Sequence, residues 1–244
     1  MVISVDIAVI GRGMLGSSAA KHLANLGASV ALIGPGEPQN LSTHQGVFGS
    51  HYDSGRITRI LDRNPYYAKI SAESISRYRK LESLSGINFF HDVGQVTVSN
   101  MHPYLDELAI CARTQKLNHT ILNDSDLAST FPYFKFDDGM TGIHEVGTGG
   151  HINPRLFIEA QGKALKIAGG NIIEETVKRI KKIKGINNVF WKGNGVCKCK
   201  KVLLATGAFA NHLGIIPKKL SVEIAEHTTV LAEISDETSK YLSG

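Results

Sequence analysis

Cysteine is scarce: three residues in 244, at Cys111, Cys197 and Cys199. Three thiols build no disulfide framework, and two of them one residue apart, with no histidine or further cysteine nearby, make no zinc site. On a strand Cys197 and Cys199 share a face. All three read as reduced structural side chains, and a reducing, cytoplasmic compartment is the expectation. Long hydrophobic runs are missing as well. The first apolar run stops at Gly11 and no basic region precedes it, which predicts neither a signal sequence nor a membrane span. There is no internal repeat and no low-complexity linker. Charge of one sign is not concentrated either. The net charge of +5 is spread along the chain, apart from KRIKKIK at Lys178–Lys184. Without interleaved aromatics that run reads as a solvated edge, so no nucleic-acid partner is expected. His91, His119, His144, His151 and His227 are scattered and read as structural or surface residues, and no metal site is expected.

What is present is a chain 42% hydrophobic, long enough for one large core or two modest ones. Ile7–Ile10 has the aliphatic, β-branched character of a strand buried on both faces. Gly11, Gly13 and Gly16 follow as GxGxxG. Ser17–Leu26 places apolar residues at Ala20, Leu23, Ala24 and Leu26 on a helical face, with Gly27 as its stop. Val30–Ile33 is a second strand. The spacing is that of a dinucleotide-binding strand, turn, helix and strand, whose glycines permit a tight turn, close approach of a pyrophosphate and close helix packing. Gly11, Gly13, Met14, Leu15 and Gly16 are the candidate contacts, because a helix N-terminus offers free N–H groups to phosphate. The acidic residue that should follow the second strand to take the ribose hydroxyls is absent, and Gly34 stands there. Glu37, three residues on, is the nearest carboxylate in that turn.

After this unit comes a polar, glycine-rich loop over Gln39–Ser54, long enough to need something to lie against. GRITRILDRNPYYAKISAESISRYRKLESLSG then predicts, through Ile70, Ile75, Tyr78 and Leu81, one long helix ending near Gly86. In this order, the GxGxxG unit, the Ser-Thr loop, SHYDSGRITR, the helix and VGQVTVS resemble the D-amino-acid-oxidase-type FAD oxidoreductases. The likeness is greatest to the branch of monomeric sarcosine oxidase and N-methyltryptophan oxidase. NDSDLASTFPYF, GTGGHINPRLFIEA and KVLLATGAFANHL extend it along nearly the whole chain.

The resemblance implies an α/β fold: a Rossmann-like FAD-binding domain over 1–90 and 149–215, and a discontinuous, β-rich and incomplete substrate domain over 91–148 and 216–244. It implies FAD as the cofactor. Ser42, Thr43, Gly49, Ser50 and His51 of the loop become candidate contacts, as do Val177 at the adenine and Ala205, Thr206 and Gly207 after a late strand. It puts Arg56 near the flavin and Arg59 on the carboxylate of a small amino-acid or amine substrate, a role suited to a forked guanidinium. Asp53 and Asp62 are close enough in sequence to pair with either arginine. Oxidation of a C–N bond to an imine, with oxygen reduced to hydrogen peroxide, is the implied reaction. Roughly the last third of the family pattern has no counterpart here, and Cys197 and Cys199 fall in the wrong place for a covalent flavin link. An inactive flavin-binding fragment, a half-enzyme completed by a second chain and a nicotinamide-dependent dehydrogenase therefore remain alternatives.

Overall fold

The computed structural model describes residues 1–216, 218–225, 230 and 232–242. In chain order the elements are β1 (Val2–Ile10), α1 (Met14–Asn25), β2 (Val30–Ile33), β3 (Arg56–Thr58), α2 (Pro65–Ile75), α3 (Tyr78–Ser85), β4 (Phe90–His91), β5 (Gln95–Ser99) and α4 (His102–Thr114). There follow β6 (His119–Leu122), α5 (Asp124–Thr130), β7 (Thr141–Glu145), β8 (Gly150–Ile152), α6 (Pro154–Ile167), β9 (Asn171–Ile173), β10 (Val177–Ile183), β11 (Ile186–Trp191), β12 (Val196–Leu204) and α7 (Asp236–Leu242). They form two compact units. The first comprises residues 1–56, 78–90 and 152–223, and the second 57–77, 91–151 and 224–244.

The first unit is built on a six-stranded sheet of order β10-β11-β12-β1-β2-β9. β12, β1, β2 and β9 run parallel, while β10 and β11 add an antiparallel hairpin. Side chains alternate between the faces of a strand. Val9, Val30 and Leu32 therefore pack with Ala20 and Ala24 of α1 and Leu165 of α6. Ala8, Ile10, Ala31 and Ile33 turn the other way, into a cluster with Trp191, Cys197 and Cys199. All three cysteines are free and buried. β10 is the outer strand, and Lys178, Arg179, Lys181 and Lys182 on it are exposed. Lysine on an edge strand discourages pairing with another chain.

The second unit contains the antiparallel sheet β5-β7-β6. Its core joins Leu61 and Ala68 to Leu105, Leu108, Ala109 and Ala112 of α4 and Ile143 of β7. Glu145, fully buried at the end of β7, accepts hydrogen bonds from the backbone N–H groups of Ile60 and Leu61 and from the Thr148 hydroxyl.

Several expectations need correction. The single long helix is two, α2 and α3, separated at Ser76 and Arg77. α2 buries Ala68 and Ile75, whereas α3 buries Tyr78, Leu81, Glu82 and Ser85. Residues 57–77 accordingly belong with the second unit, because Leu61 and Ala68 fill its core. Ile70 and Leu26 are exposed. α1 begins three residues earlier than its apolar pattern suggests, and β1 is nine residues long. The β-rich character expected of 216–244 is not found there: the described residues of that stretch hold no strand and end in α7. His227 lies outside the described residues.

Candidate functional site

Register sets the site. Ile10 of β1 pairs with Leu204 of β12 on one side and Ile33 of β2 on the other, so three parallel strands end at one level. The chain leaves them at Gly11, Gly34 and Ala205. Gly11 N–H donates to the Ile33 carbonyl at 2.8 Å, and Ala205 N–H to the Ile10 carbonyl at 2.7 Å. The crevice beyond the carboxyl ends of parallel strands is where such sheets bind ligands. Gly11 has φ +109°, and a Cβ on it would stand 2.2 Å from the Ala205 carbonyl oxygen. A Cβ on Gly16 would lie 1.8 Å from the Gly11 oxygen. The first turn of α1 is thus pressed against the glycine turn.

A cleft of about 870 Å³, part of it open to solvent, opens at this level. Of the residues singled out in the sequence, Gly11, Gly13, Gly49, Ser50, His51, Val177, Ala205, Thr206 and Gly207 line it. Gly13 caps α1 without a side-chain hydrogen bond, and the first turn carries no acid. The helix end therefore offers N–H groups and partial positive charge. Thr206 Oγ1 is buried in the wall with no hydrogen-bond partner, an orphan that a bound polar group would satisfy. These features fit the pyrophosphate-bearing cofactor that the glycine pattern implies.

Other expected residues keep their side chains out of the cleft wall. Met14 accepts a hydrogen bond at its sulfur from Arg56 at 3.7 Å, and Leu15 is exposed. Ser42 and Thr43 are exposed outside the cleft, and Ser42 bonds Asn40. Arg56 is paired with Asp53 at 2.8 Å and donates to the Ser50 carbonyl. Arg59, in the second unit, is exposed, and its Nε donates to the Leu61 carbonyl at 2.9 Å. Asp62 instead accepts from Asn64 N–H.

Glu37 is gripped by Arg155 through contacts of 2.7, 2.8 and 3.0 Å. Arg155, in the first turn of α6, also donates to the Tyr52 carbonyl and the Ser54 hydroxyl. One guanidinium thereby pins both ends of the polar loop. Glu37 takes no part in the cleft wall, and the arginine hydrogen bonds hold its carboxyl below the usual range. Arg155 is 118 residues from Glu37, and no local pattern in the sequence marks the pair. Arg12 was also missed. It lines the cleft, packs against Gly34, and pairs with Glu174 at 2.7 Å.

His51 is half-buried, and loss of water is the main reason its pKa falls below the ordinary 6.5; Glu37 opposes the shift, while Arg56 and Arg12 add to it. Burial lowers His144 likewise, and lowers His151 with help from His91, whose ring stacks on it at 4.7 Å. Each binds a proton less readily folded than unfolded. The unfolded chain therefore takes up more protons as the pH drops, and stability present above about pH 6.5 is lost below it. Urea midpoints should decline between pH 7 and pH 5, before most carboxylates titrate. A flat or rising midpoint over that interval would contradict the assignment.

Among the described residues no group of three or more His, Cys, Asp or Glu is placed to hold a metal ion, and no helix is long and apolar enough to cross a membrane. A Caenorhabditis elegans protein named "Putative sarcosine oxidase" is 23% identical over 205 residues, covering 84% of this chain and 51% of its own length. An N-methyl-L-tryptophan oxidase of Yersinia pestis is 24% identical over 170 residues, or 69% of this chain and 44% of the relative. The chain thus spans about half the length of these curated relatives. Glycine oxidase from Geobacillus kaustophilus shares the fold, with a TM-score of 0.67 at 18% identity over 87% of this chain and 58% of that one. The family model for FAD dependent oxidoreductases matches residues 6–240. With its glycine turn, bare helix end and cleft in place, the chain belongs to this DAO family, whose cofactor is FAD.

Proposed function

We propose that the chain works, alone or as part of a longer protein, in the oxidation of the C–N bond of an amino acid or N-methyl amino acid to an imine, with oxygen as acceptor and hydrogen peroxide as product. The observation that carries this reading is one cleft that joins an uncapped helix end to the partnerless Thr206 hydroxyl, in a chain of this family. The names of the relatives, sarcosine and N-methyl-L-tryptophan oxidases, support the substrate class. When bound, FAD would accept the hydride removed from the carbon beside the nitrogen.

The chain's own residues bind and orient. Gly11 and Gly13 leave the backbone bare beneath the pyrophosphate, and the N–H groups of Met14, Leu15 and Gly16 at the end of α1 face it. Thr206 supplies its hydroxyl, and Ala205 and Gly207 let the chain pass close by. Gly49, Ser50 and His51 wall the cleft, where burial disfavours the charged form of His51. Val177 meets the adenine through its backbone. Arg56, fixed by Asp53 and Ser50, stands near the flavin, and Arg59 forks the substrate carboxylate.

The test is a desalted preparation, scanned for flavin absorbance and then assayed for peroxide with sarcosine, other N-methyl amino acids and their primary counterparts. Retained flavin with peroxide from this panel is expected. Flavin that turns over an amino acid only with an artificial electron acceptor would sink the assignment of oxygen. Flavin without turnover of any amine under either condition would sink the substrate class.

A further inference from the structure

The chain has no acid where β2 ends, and it has no room for one. A Cβ on Gly34 would stand 2.7 Å from the Arg12 backbone nitrogen and 2.9 Å from the Arg12 Cβ. Arg12, the residue between the first two glycines, has taken that volume. Glu37, the next carboxylate along the chain, is occupied by Arg155. A carboxylate does stand at this level, on the neighbouring strand. β9 pairs with β2 in the register Ile33 to Ile173, and Gly34 N–H donates to the Ile173 carbonyl at 3.0 Å. The next residue, Glu174, is therefore side by side with Gly34. One of its oxygens meets Arg12 Nη1 at 2.7 Å. The other, Oε2, lies 3.4 Å from where a Cβ on Gly36 would be, over the bare turn that follows β2. Glu174 does not line the cleft itself; its carboxylate, 65% exposed, lines the adjoining pocket, which shares Arg12 and His51 with the cleft.

We propose that Glu174 binds the ribose hydroxyls of the adenosine half of FAD, with Arg12 as the positioning residue that aims it. This rests on FAD binding in the cleft. The physical requirement is a carboxylate at the carboxyl end of the sheet beside the helix that holds the pyrophosphate, and an acceptor of that kind suits vicinal hydroxyls. Here it comes from β9 instead of β2. The exchange explains the glycine at 34 together with the ion pair that Arg12 makes.

The test compares ADP with 2′,3′-dideoxy-ADP by titration calorimetry, alongside FAD retention. A hydrogen bond to a charged acceptor predicts that the unchanged chain prefers ADP by about tenfold. Glu174→Ala is expected to bring that ratio to about one, with the affinity for the dideoxy nucleotide and the circular dichroism unchanged. Glu174→Gln should keep part of the preference, and Arg12→Met should lower it while Glu174 is still present. A tenfold ratio that survives in Glu174→Ala overturns the proposal, as does its loss in Glu37→Ala alone. An unchanged chain that binds ADP and FAD without preferring ADP also overturns it and leaves the flavin reading standing. A chain that binds neither nucleotide overturns both.

Discussion

Gly13→Ala is expected to cost the apo chain no more than about 1 kcal/mol, the difference between glycine and alanine as a helix cap, yet to weaken FAD binding by about a hundredfold. A Cβ there finds no atom nearer than His51 Nδ1 at 3.8 Å, and the backbone at Gly13 is extended, with φ −78°. The methyl group would occupy the space above the helix end. Loss of one or two hydrogen bonds between phosphate and N–H, at about 1.5–3 kcal/mol each, gives that factor. Gly16→Ala should lose both binding and stability. Alanine at a helical position gains about 0.5–1 kcal/mol over glycine, but its Cβ would fall 1.8 Å from the Gly11 oxygen, and only a backbone shift relieves that. Overpacking of this kind costs about 1–3 kcal/mol, so the net change is destabilising. Fluorescence titration with FAD and urea unfolding of both variants check the pair. Gly13→Ala binding FAD with unchanged affinity would show that the pyrophosphate does not lie over this turn.

The second large effect is expected at Glu145, remote in kind from the cofactor. Its carboxylate satisfies three donors inside the second unit: two backbone N–H groups at 3.0–3.2 Å and the Thr148 hydroxyl at 2.7 Å. Glu145→Ala orphans the two backbone N–H groups in a buried place, at about 1–3 kcal/mol for each group left unpaired, and frees the half-buried Thr148 hydroxyl. With some relaxation the second unit should lose about 3–4 kcal/mol. Glu145→Gln keeps one accepting oxygen and turns an N–H₂ toward donors, and should lose about 2 kcal/mol. Urea unfolding followed by a probe in the second unit measures both. A loss below about 1 kcal/mol in the alanine variant would mean that other acceptors replace the carboxylate.

How much of this could be read beforehand depended on distance along the chain. The glycine turn and its flanking strand and helix are local, and the aliphatic runs Ile7–Ile10 and Val30–Ile33 carry their burial in their composition. The cleft residues Ala205, Thr206 and Gly207 were reached through resemblance, since an apolar strand ending in a small residue is common. The break between α2 and α3 was hidden because apolar spacing continues through Ser76 and Arg77, although the two helices serve different cores. The pairs Arg155 with Glu37, Arg12 with Glu174 and Glu145 with residues 60 and 61 join positions far apart in sequence. Charge alone cannot pick such partners out of a chain with 27 basic and 22 acidic residues.

The position of β1 between β12 and β2 also bears on how the chain reaches its native state. β1 is made first, yet eight of its residues find parallel partners only at residues 196–204. Pairing strands so remote requires a large loop closure before any reward, and such topologies fold slowly. During synthesis β1 must wait, apolar and unmatched on one side, until residues 196–204 have emerged. Each unit is also assembled from three separate stretches of chain, so neither can be excised as one continuous piece. Refolding yield should therefore fall with protein concentration, and chaperone demand should be greatest before residue 204 has been translated.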